Sequence, residues 1–119
     1  MRQLTVARIL SAQSIAANTT ATTSSIQTGR CTGYAALQIT NSAGSLLINQ
    51  QCSLDDTTWY NPADSNTVSL VQVASGIVKG DSKYIMFDPV CAPYTRFQVV
   101  EGDSNATILT LNLIFQEEI

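Results

Sequence analysis

The sequence contains no histidine, and this absence removes the most common general base in enzymes. Without histidine, neither a Ser-His-Asp triad nor a Cys-His nucleophile can be assembled. Lys79 and Lys83 flank the loop-like segment Gly80-Asp81-Ser82, where we expect solvated charges rather than the desolvated lysine of a Ser-Lys device. The sequence also lacks a P-loop and a glycine-rich dinucleotide fingerprint. We therefore expect that the protein is not an enzyme.

Charged residues are scarce. They make up 13% of the 119 residues, about half the typical share of about 25% in soluble domains. The net charge is −3 and no basic stripe is present, so nucleic acid is not an expected partner. No apolar run is long enough to cross a bilayer, and Arg8 and Gln13 interrupt the apolar N-terminal segment. We expect neither membrane insertion nor secretion.

Cysteine is also sparse, with Cys31, Cys52 and Cys91 widely spaced and no Cys-x-x-Cys pair. This set argues against a zinc site and against a complete disulfide framework. We expect buried free thiols. One intramolecular disulfide is an alternative if the protein matures in an oxidising compartment. We expect no metal and no cofactor.

Hydrophobic residues alternate with a period of two in several segments, which predicts antiparallel strands. In Ala106 to Gln116, the side chains of Leu109, Leu111, Leu113 and Phe115 share one face. The turn residues 101–105 predict a hairpin between this strand and Tyr94 to Val100. Residues 41–45 likewise predict a second hairpin, and two further strands are predicted. The second hairpin joins Tyr34–Thr40 to Leu46–Cys52, and the further strands are Val68–Val73 and Lys83–Phe87, the latter ending before Asp88-Pro89 and Ala92-Pro93.

Seven or eight short strands without a long helix predict an all-β protein, an antiparallel β-sandwich or jelly roll. We assign residues 1–30 to an extended N-terminal arm and first strand, with a short helical turn at Ser14 to Ala17, and residues 31–119 to the sandwich. Together they form one domain. We expect much of the core to come from large apolar side chains, namely Leu37, Ile39, Leu46, Ile48, Trp59, Leu70, Phe97, Val99, Leu111, Leu113 and Phe115.

The most distinctive segment is Cys52 to Asn61, which contains Asp55, Asp56, Trp59 and Tyr60. It predicts a strand that enters an Asp-rich turn, after which Trp59 folds onto the core. An exposed Trp59-Tyr60 pair would instead stack on a sugar or on a partner's apolar patch. The two aspartates could bind calcium, but adjacent carboxylates without a spaced third acid do not define a cage.

The segment Ser53-Leu54-Asp55-Asp56-Thr57-Thr58-Trp59 resembles the Ser-x-Asp-Gly-x-x-Trp turn of discoidin-like carbohydrate-binding domains and of small β-sandwich proteins in tailed-phage virions. Asp56 stands where glycine is usual, which implies a left-handed conformation at an Asp or a different turn. Pro93 to Val99 resembles the later aromatic-Arg strand of these modules, with Tyr94 and Arg96. Thr22 to Ile26 and Gly33 to Thr40 also resemble phage virion proteins, so the likeness covers Ala21 to Phe115.

This resemblance implies a structural virion protein of a bacteriophage: a capsid decoration, head-surface or tail component that forms a homo-oligomer and docks on other virion proteins such as the major capsid protein. Such a protein is assembled in the host cytoplasm and located in the virion. The alternative is a carbohydrate-binding module that recognises host-surface glycans. The candidate partner or glycan contacts are Asp55, Asp56, Trp59, Tyr60, Tyr94 and Arg96. A hydrolase using paired aspartates is a third hypothesis.

Overall fold

The computed structural model describes residues 2–63, 72–78, 80, 82–87 and 92–118. The predicted core residue Leu70, Cys91 and the break at Asp88-Pro89 lie outside these residues, as does most of the predicted strand Val68–Val73. The described part contains nine strands and no helix. They are β1 (Arg2–Ile15), β2 (Thr20–Thr22), β3 (Ile26–Gln27), β4 (Cys31–Asn41), β5 (Ser45–Ser53), β6 (Gln72–Val78), β7 (Ser82–Phe87), β8 (Tyr94–Glu101) and β9 (Thr107–Glu118).

The strands form two antiparallel sheets. The first sheet has the order β1-β9-β4-β7, and the second has the order β2-β8-β5-β6, with β3 also pairing with β8. Among these strands, only the β2–β3 and β5–β6 connections stay within one sheet. These two orders of four antiparallel strands, with most connections crossing between the sheets, are those of a jelly roll. The all-β sandwich predicted from the alternation is confirmed.

Both predicted hairpins are wrong. β4 belongs to the first sheet and β5 to the second, and β8 and β9 are divided in the same way. Alternation specifies which side chains point inward, but not which sheet a strand joins. A connection of five residues can extend about 16 Å, enough to cross the roughly 10 Å between packed sheets. Residues 41–45 and 101–105 are therefore corners between the sheets.

The segment assigned to an extended arm and first strand contributes β1 to the first sheet and β2 and β3 to the second. β1 pairs with β9 from Arg2–Glu118 to Ile15–Thr107, with register shifts between Arg8 and Gln13. The short helical turn expected at Ser14 to Ala17 is not found, because the strand continues to Ile15 before the chain turns. Ile15 is buried between the sheets.

The core lies between the sheets and consists of alternate residues from both. β4 and β9 supply Leu37, Ile39, Leu111 and other side chains from the first sheet. All the predicted core residues within the described part are buried except Trp59. Trp59 is half-buried on the outer side of the second sheet, so its assignment to the core is wrong. The buried members not named in advance are Ile15, Ala35, Ala74, Ile77 and Leu109.

Candidate functional site

The loop between Ser53 and Tyr60 follows β5 and is closed at its base. Cys52 and Tyr60 exchange two backbone hydrogen bonds of 3.0 and 2.9 Å. These bonds bring the chain back beside the strand it has just left. The candidate residues Asp55, Asp56, Trp59 and Tyr60 are thus held together on one short loop.

Ser53 and Asp55 organise the loop with their side chains. The Ser53 hydroxyl accepts the backbone N–H groups of Asp55 and Asp56 at 3.2 and 2.9 Å. One Asp55 carboxylate oxygen, Oδ1, accepts the Ser53 hydroxyl at 3.1 Å and the N–H groups of Thr57 and Thr58 at 2.9 Å each. Hydrogen bonds from the backbone of Thr58 and Thr57 and from Ser53 lower the pKa of Asp55. Asp55 is therefore a turn-forming carboxylate.

Asp56 adopts the left-handed backbone conformation, with φ of 62°. This is one of the two geometries that the resemblance implied at the position where glycine is usual, the other being a different turn. Aspartate enters this region more readily than most residues because its short polar side chain can bond locally. Asp56 is exposed, and its placement follows from the turn.

Trp59 packs against Arg96 on the outer face of the second sheet. The Arg96 guanidinium carbon lies 4.3 Å from the centroid of the Trp59 ring, which is a cation–π contact. Arg96 Nε donates to Gln51 Oε1 at 2.8 Å, and Gln51 Nε2 donates to Asn61 Oδ1 at 3.0 Å. Because Gln51 and Arg96 are register partners on β5 and β8, the sheet positions the group on which Trp59 rests.

The remaining two candidates differ in their relation to this loop. Tyr60 is 60% exposed. Tyr94, at the start of β8, is the register partner of Ser53. It also lines a cleft of about 430 Å³ with Gln27, Gly29, Arg30, Pro93 and Glu117. The structure therefore brings Asp55, Asp56, Trp59, Tyr60 and Arg96 together, with Tyr94 at the boundary between this group and the cleft.

Two features carry no sequence motif. The carboxylate of Glu101 is buried among backbone N–H groups from three connections. Leu4, Val6, Tyr34, Tyr84, Met86 and Ile114 form an apolar outer surface on the first sheet, here called the first-sheet face. The sequence gives only a weak signal for this face. The residues Tyr84 to Phe87 are apolar at consecutive positions, as in a buried strand, although β7 lies at a sheet edge.

Within the described residues, no three His, Cys, Asp or Glu side chains are grouped so that they could hold a metal ion. The same residues include no helix that is long and apolar enough to span a membrane.

Comparison with solved structures shows what this fold is similar to. The crystal structure of the SPBc2 prophage-derived protein YomS superposes with a TM-score of 0.60 at 13% identity, covering 98% of this chain and 96% of that one. A chain from infectious bursal disease virus strain Gx gives a TM-score of 0.52 at 12% identity. A chain from T=1 particles derived from infectious bursal virus gives 0.55 at 11%.

The two viral comparisons match a smaller share of the other chain than the prophage-derived comparison does. Each viral comparison covers 98% of this chain but only 32% of the viral chain, so this protein spans about a third of their length. No protein-family model matches the sequence, and no curated protein matches it either. The class defined is thus a jelly-roll domain whose fold is shared with a prophage-derived protein and with chains of virus particles.

Proposed function

We propose that this chain is a structural protein of a bacteriophage virion, a capsid decoration, head-surface or tail component. It acts by forming a homo-oligomer and docking on a larger assembly such as the major capsid protein lattice. The observation that carries the proposal is the jelly roll itself, which matches a prophage-derived protein over nearly the full length of both chains. The exposed apolar residues of the first-sheet face support it, because such patches mark interaction surfaces.

The proposal assigns no catalytic step to the protein. Oδ1 of Asp55 accepts three hydrogen bonds from its own loop, from Ser53, Thr57 and Thr58. The backbone bonds from Thr58 and Thr57 and the bond from Ser53 lower the pKa of Asp55, which makes it a poor general acid. A panel of glycoside substrates incubated with the purified protein should show no turnover, and turnover that Asp55→Asn abolishes would contradict this part of the proposal.

The test is whether the protein is present in purified virions. Particles of the phage that encodes the chain are separated from the lysate by density-gradient centrifugation and analysed by quantitative mass spectrometry and immunogold electron microscopy. We expect the chain to co-purify in a fixed ratio to the major capsid protein, with labels at one defined location. Protein that is abundant in the lysate but missing from the particles would overturn the proposal.

A carbohydrate-binding role is the second candidate. It is favoured by the position of Trp59 outside the core and by the exposed ring of Tyr60 next to it, because aromatic faces at a surface can pack against ligands. A glycan array should then give a signal that Trp59→Ala removes. Leu54→Ala is the matched control, since Leu54 is exposed on the same loop but carries no ring. No signal for the wild type, or equal loss in both variants, would exclude this role.

A further inference from the structure

We infer that the first-sheet face is a self-association surface on which a second copy of this chain packs, with β1 of each copy over β7 of the other. The inference rests on the proposed assembly role and names the surface that would serve it. Of the exposed large apolar side chains in the described part, five belong to this face, and each of them is more than 60% exposed: Leu4, Val6, Tyr34, Tyr84 and Met86.

The apolar residues form a continuous row across all four strands. Val6 on β1 pairs with Ile114 on β9, Ile114 pairs with Ala36 on β4, and Ala36 pairs with Met86 on β7. Ala36 and the half-buried Ile114 form the centre of the row, and the two exposed side chains stand at its ends. A two-fold axis parallel to the strands, between β9 and β4, would set Val6 against the partner's Met86 and Ile114 against the partner's Ala36.

The next row on the same face contains a charged residue, Arg8. It runs from Arg8 on β1 through Asn112 and Gln38 to Tyr84 on β7. The same two-fold axis would place the Arg8 guanidinium over the partner's Tyr84 ring, a favourable cation–π contact that occurs twice in each dimer. The other face-to-face two-fold would stack β1 on β1, which contains no aromatic residue. Arg8 would then face no ring, so the cation–π contact favours the first arrangement.

The amides at the centre of the second row are partly paired within one chain. Asn112 Nδ2 donates to Gln38 Oε1 at 2.7 Å, and Gln38 Nε2 donates to Thr40 Oγ1 at 3.3 Å. Covering these amides with a second copy therefore leaves fewer hydrogen-bonding groups unpaired than covering isolated amides would. The face combines exposed apolar area with internally paired polar groups, as expected for a surface that becomes buried.

Analytical ultracentrifugation of the purified chain tests this directly. We expect a monomer–dimer equilibrium with a Kd of about 1–100 μM. Val6→Glu and Met86→Glu, at opposite ends of the row, should each weaken dimerisation by more than about 100-fold, because each dimer buries two new charges. Leu54→Glu is the control, since Leu54 is exposed on the Ser53–Tyr60 loop. It should leave the Kd unchanged, and circular dichroism should show that all three variants are folded.

A charge exchange tests the orientation. Tyr84→Arg would face the partner's Arg8 and should weaken dimerisation about tenfold or more. Adding Arg8→Tyr to that variant restores the Arg–Tyr contact and should return the Kd to within about threefold of the wild type. Three results would overturn the inference: a monomer at concentrations up to about 1 mM, a dimer insensitive to Val6→Glu and Met86→Glu, or a double exchange that fails to restore the Kd. A monomer would also contradict the homo-oligomer in the proposed function, but none of the three results would remove the chain from purified virions, so the virion location is tested separately.

Discussion

At the scale of single residues, the left-handed conformation of Asp56 marks a position where a substitution should raise the stability of the protein. With φ of 62°, this residue occupies a region where glycine meets no steric cost. We expect Asp56→Gly to raise the free energy of unfolding by about 0.5 kcal/mol, the relief of backbone strain being partly offset by a more flexible unfolded chain. Asp56→Ala should lower it by about 1 kcal/mol. Urea denaturation monitored by Trp59 fluorescence measures both, and a stabilising alanine would contradict the argument.

Two requirements favour glycine at position 44: a left-handed backbone conformation and the lack of space for a side chain. The φ of Gly44 is 71°, and an added Cβ would lie 2.7 Å from Glu101 Oε2 and 3.1 Å from the backbone oxygen of Asn105. Gly33 is a matched control, because its φ is 70° and an added Cβ would meet nothing closer than Gln116 Oε1 at 3.9 Å. Both alanine variants incur the backbone strain, but only Gly44→Ala also meets the clash.

We therefore expect Gly44→Ala to reduce the free energy of unfolding by at least about 2 kcal/mol more than Gly33→Ala does. Chemical denaturation of the two variants under the same conditions gives the difference. Equal losses would mean that the clash is relieved by a small movement of the Glu101 carboxylate.

At the scale of strands and connections, Glu101 joins three loops at one end of the sandwich. Its carboxylate accepts the N–H of Asn18 from the β1–β2 connection, of Ser45 at the start of β5, and of Asp103 and Asn105 from the β8–β9 connection, at 2.8–3.1 Å. Removal from solvent raises the pKa of Glu101, but the four backbone donors outweigh that effect and lower the pKa to about 2.

This lowered pKa makes the free energy of unfolding depend on pH. A carboxyl whose pKa falls from its ordinary 4.5 to about 2 on folding stabilises the native state fully above pH 4.5, and this contribution is lost as the pH falls towards 2. Glu101→Gln should lower the thermal midpoint at pH 7 and flatten its decline between pH 4.5 and 2. Asp55→Asn should flatten it less, since Asp55 serves one exposed loop. Thermal melts across this range measure the effect, and a Glu101→Gln profile parallel to the wild type would refute it.

The Glu101 cluster also shows what sequence patterns could and could not supply. Alternation in Tyr94 to Val100 and in Ala106 to Gln116 correctly identified β8, β9 and their inward faces. The intervening residues 101–105 have turn composition, which is the same for a hairpin and for a corner between sheets. Only the position of β4 and β5 beside them shows that Glu101 points inward to satisfy the loops. Long-range pairing of this kind leaves no local pattern.

Some features of the candidate site follow from local sequence, and others depend on contacts between distant strands. The Ser53 to Trp59 turn was predictable because its hydrogen bonds are local, between residues two or three positions apart. The position of Trp59 was not, because it depends on Arg96, which is distant in sequence and is brought alongside by the pairing of β5 with β8. The first-sheet face likewise requires four strands in a known order before its apolar row becomes visible.

At the scale of the whole molecule, the neighbours in each sheet are mostly distant in sequence. β1 pairs with β9, and β4 pairs with both β9 and β7. Domains built from such non-local pairs fold slowly, on times of about milliseconds to seconds, because loop closure must precede the contacts that reward it. The pairing of the first and last strands is one of these non-local contacts.

The register between Arg2 and Glu118 has a consequence for how the polypeptide can be cut. Since β1 and β9 run antiparallel side by side, a short turn linking residue 119 to residue 1 would make them an ordinary hairpin. A circular permutant with this linker, opened between Asp56 and Thr57, should fold to the native circular dichroism spectrum with a melting temperature several degrees lower at most. Opening it between Gly102 and Asp103 should cost far more, because that cut disrupts the donors around Glu101. The native fold would then depend on the pairing of the strands within the two sheets, and the position at which the chain begins could change.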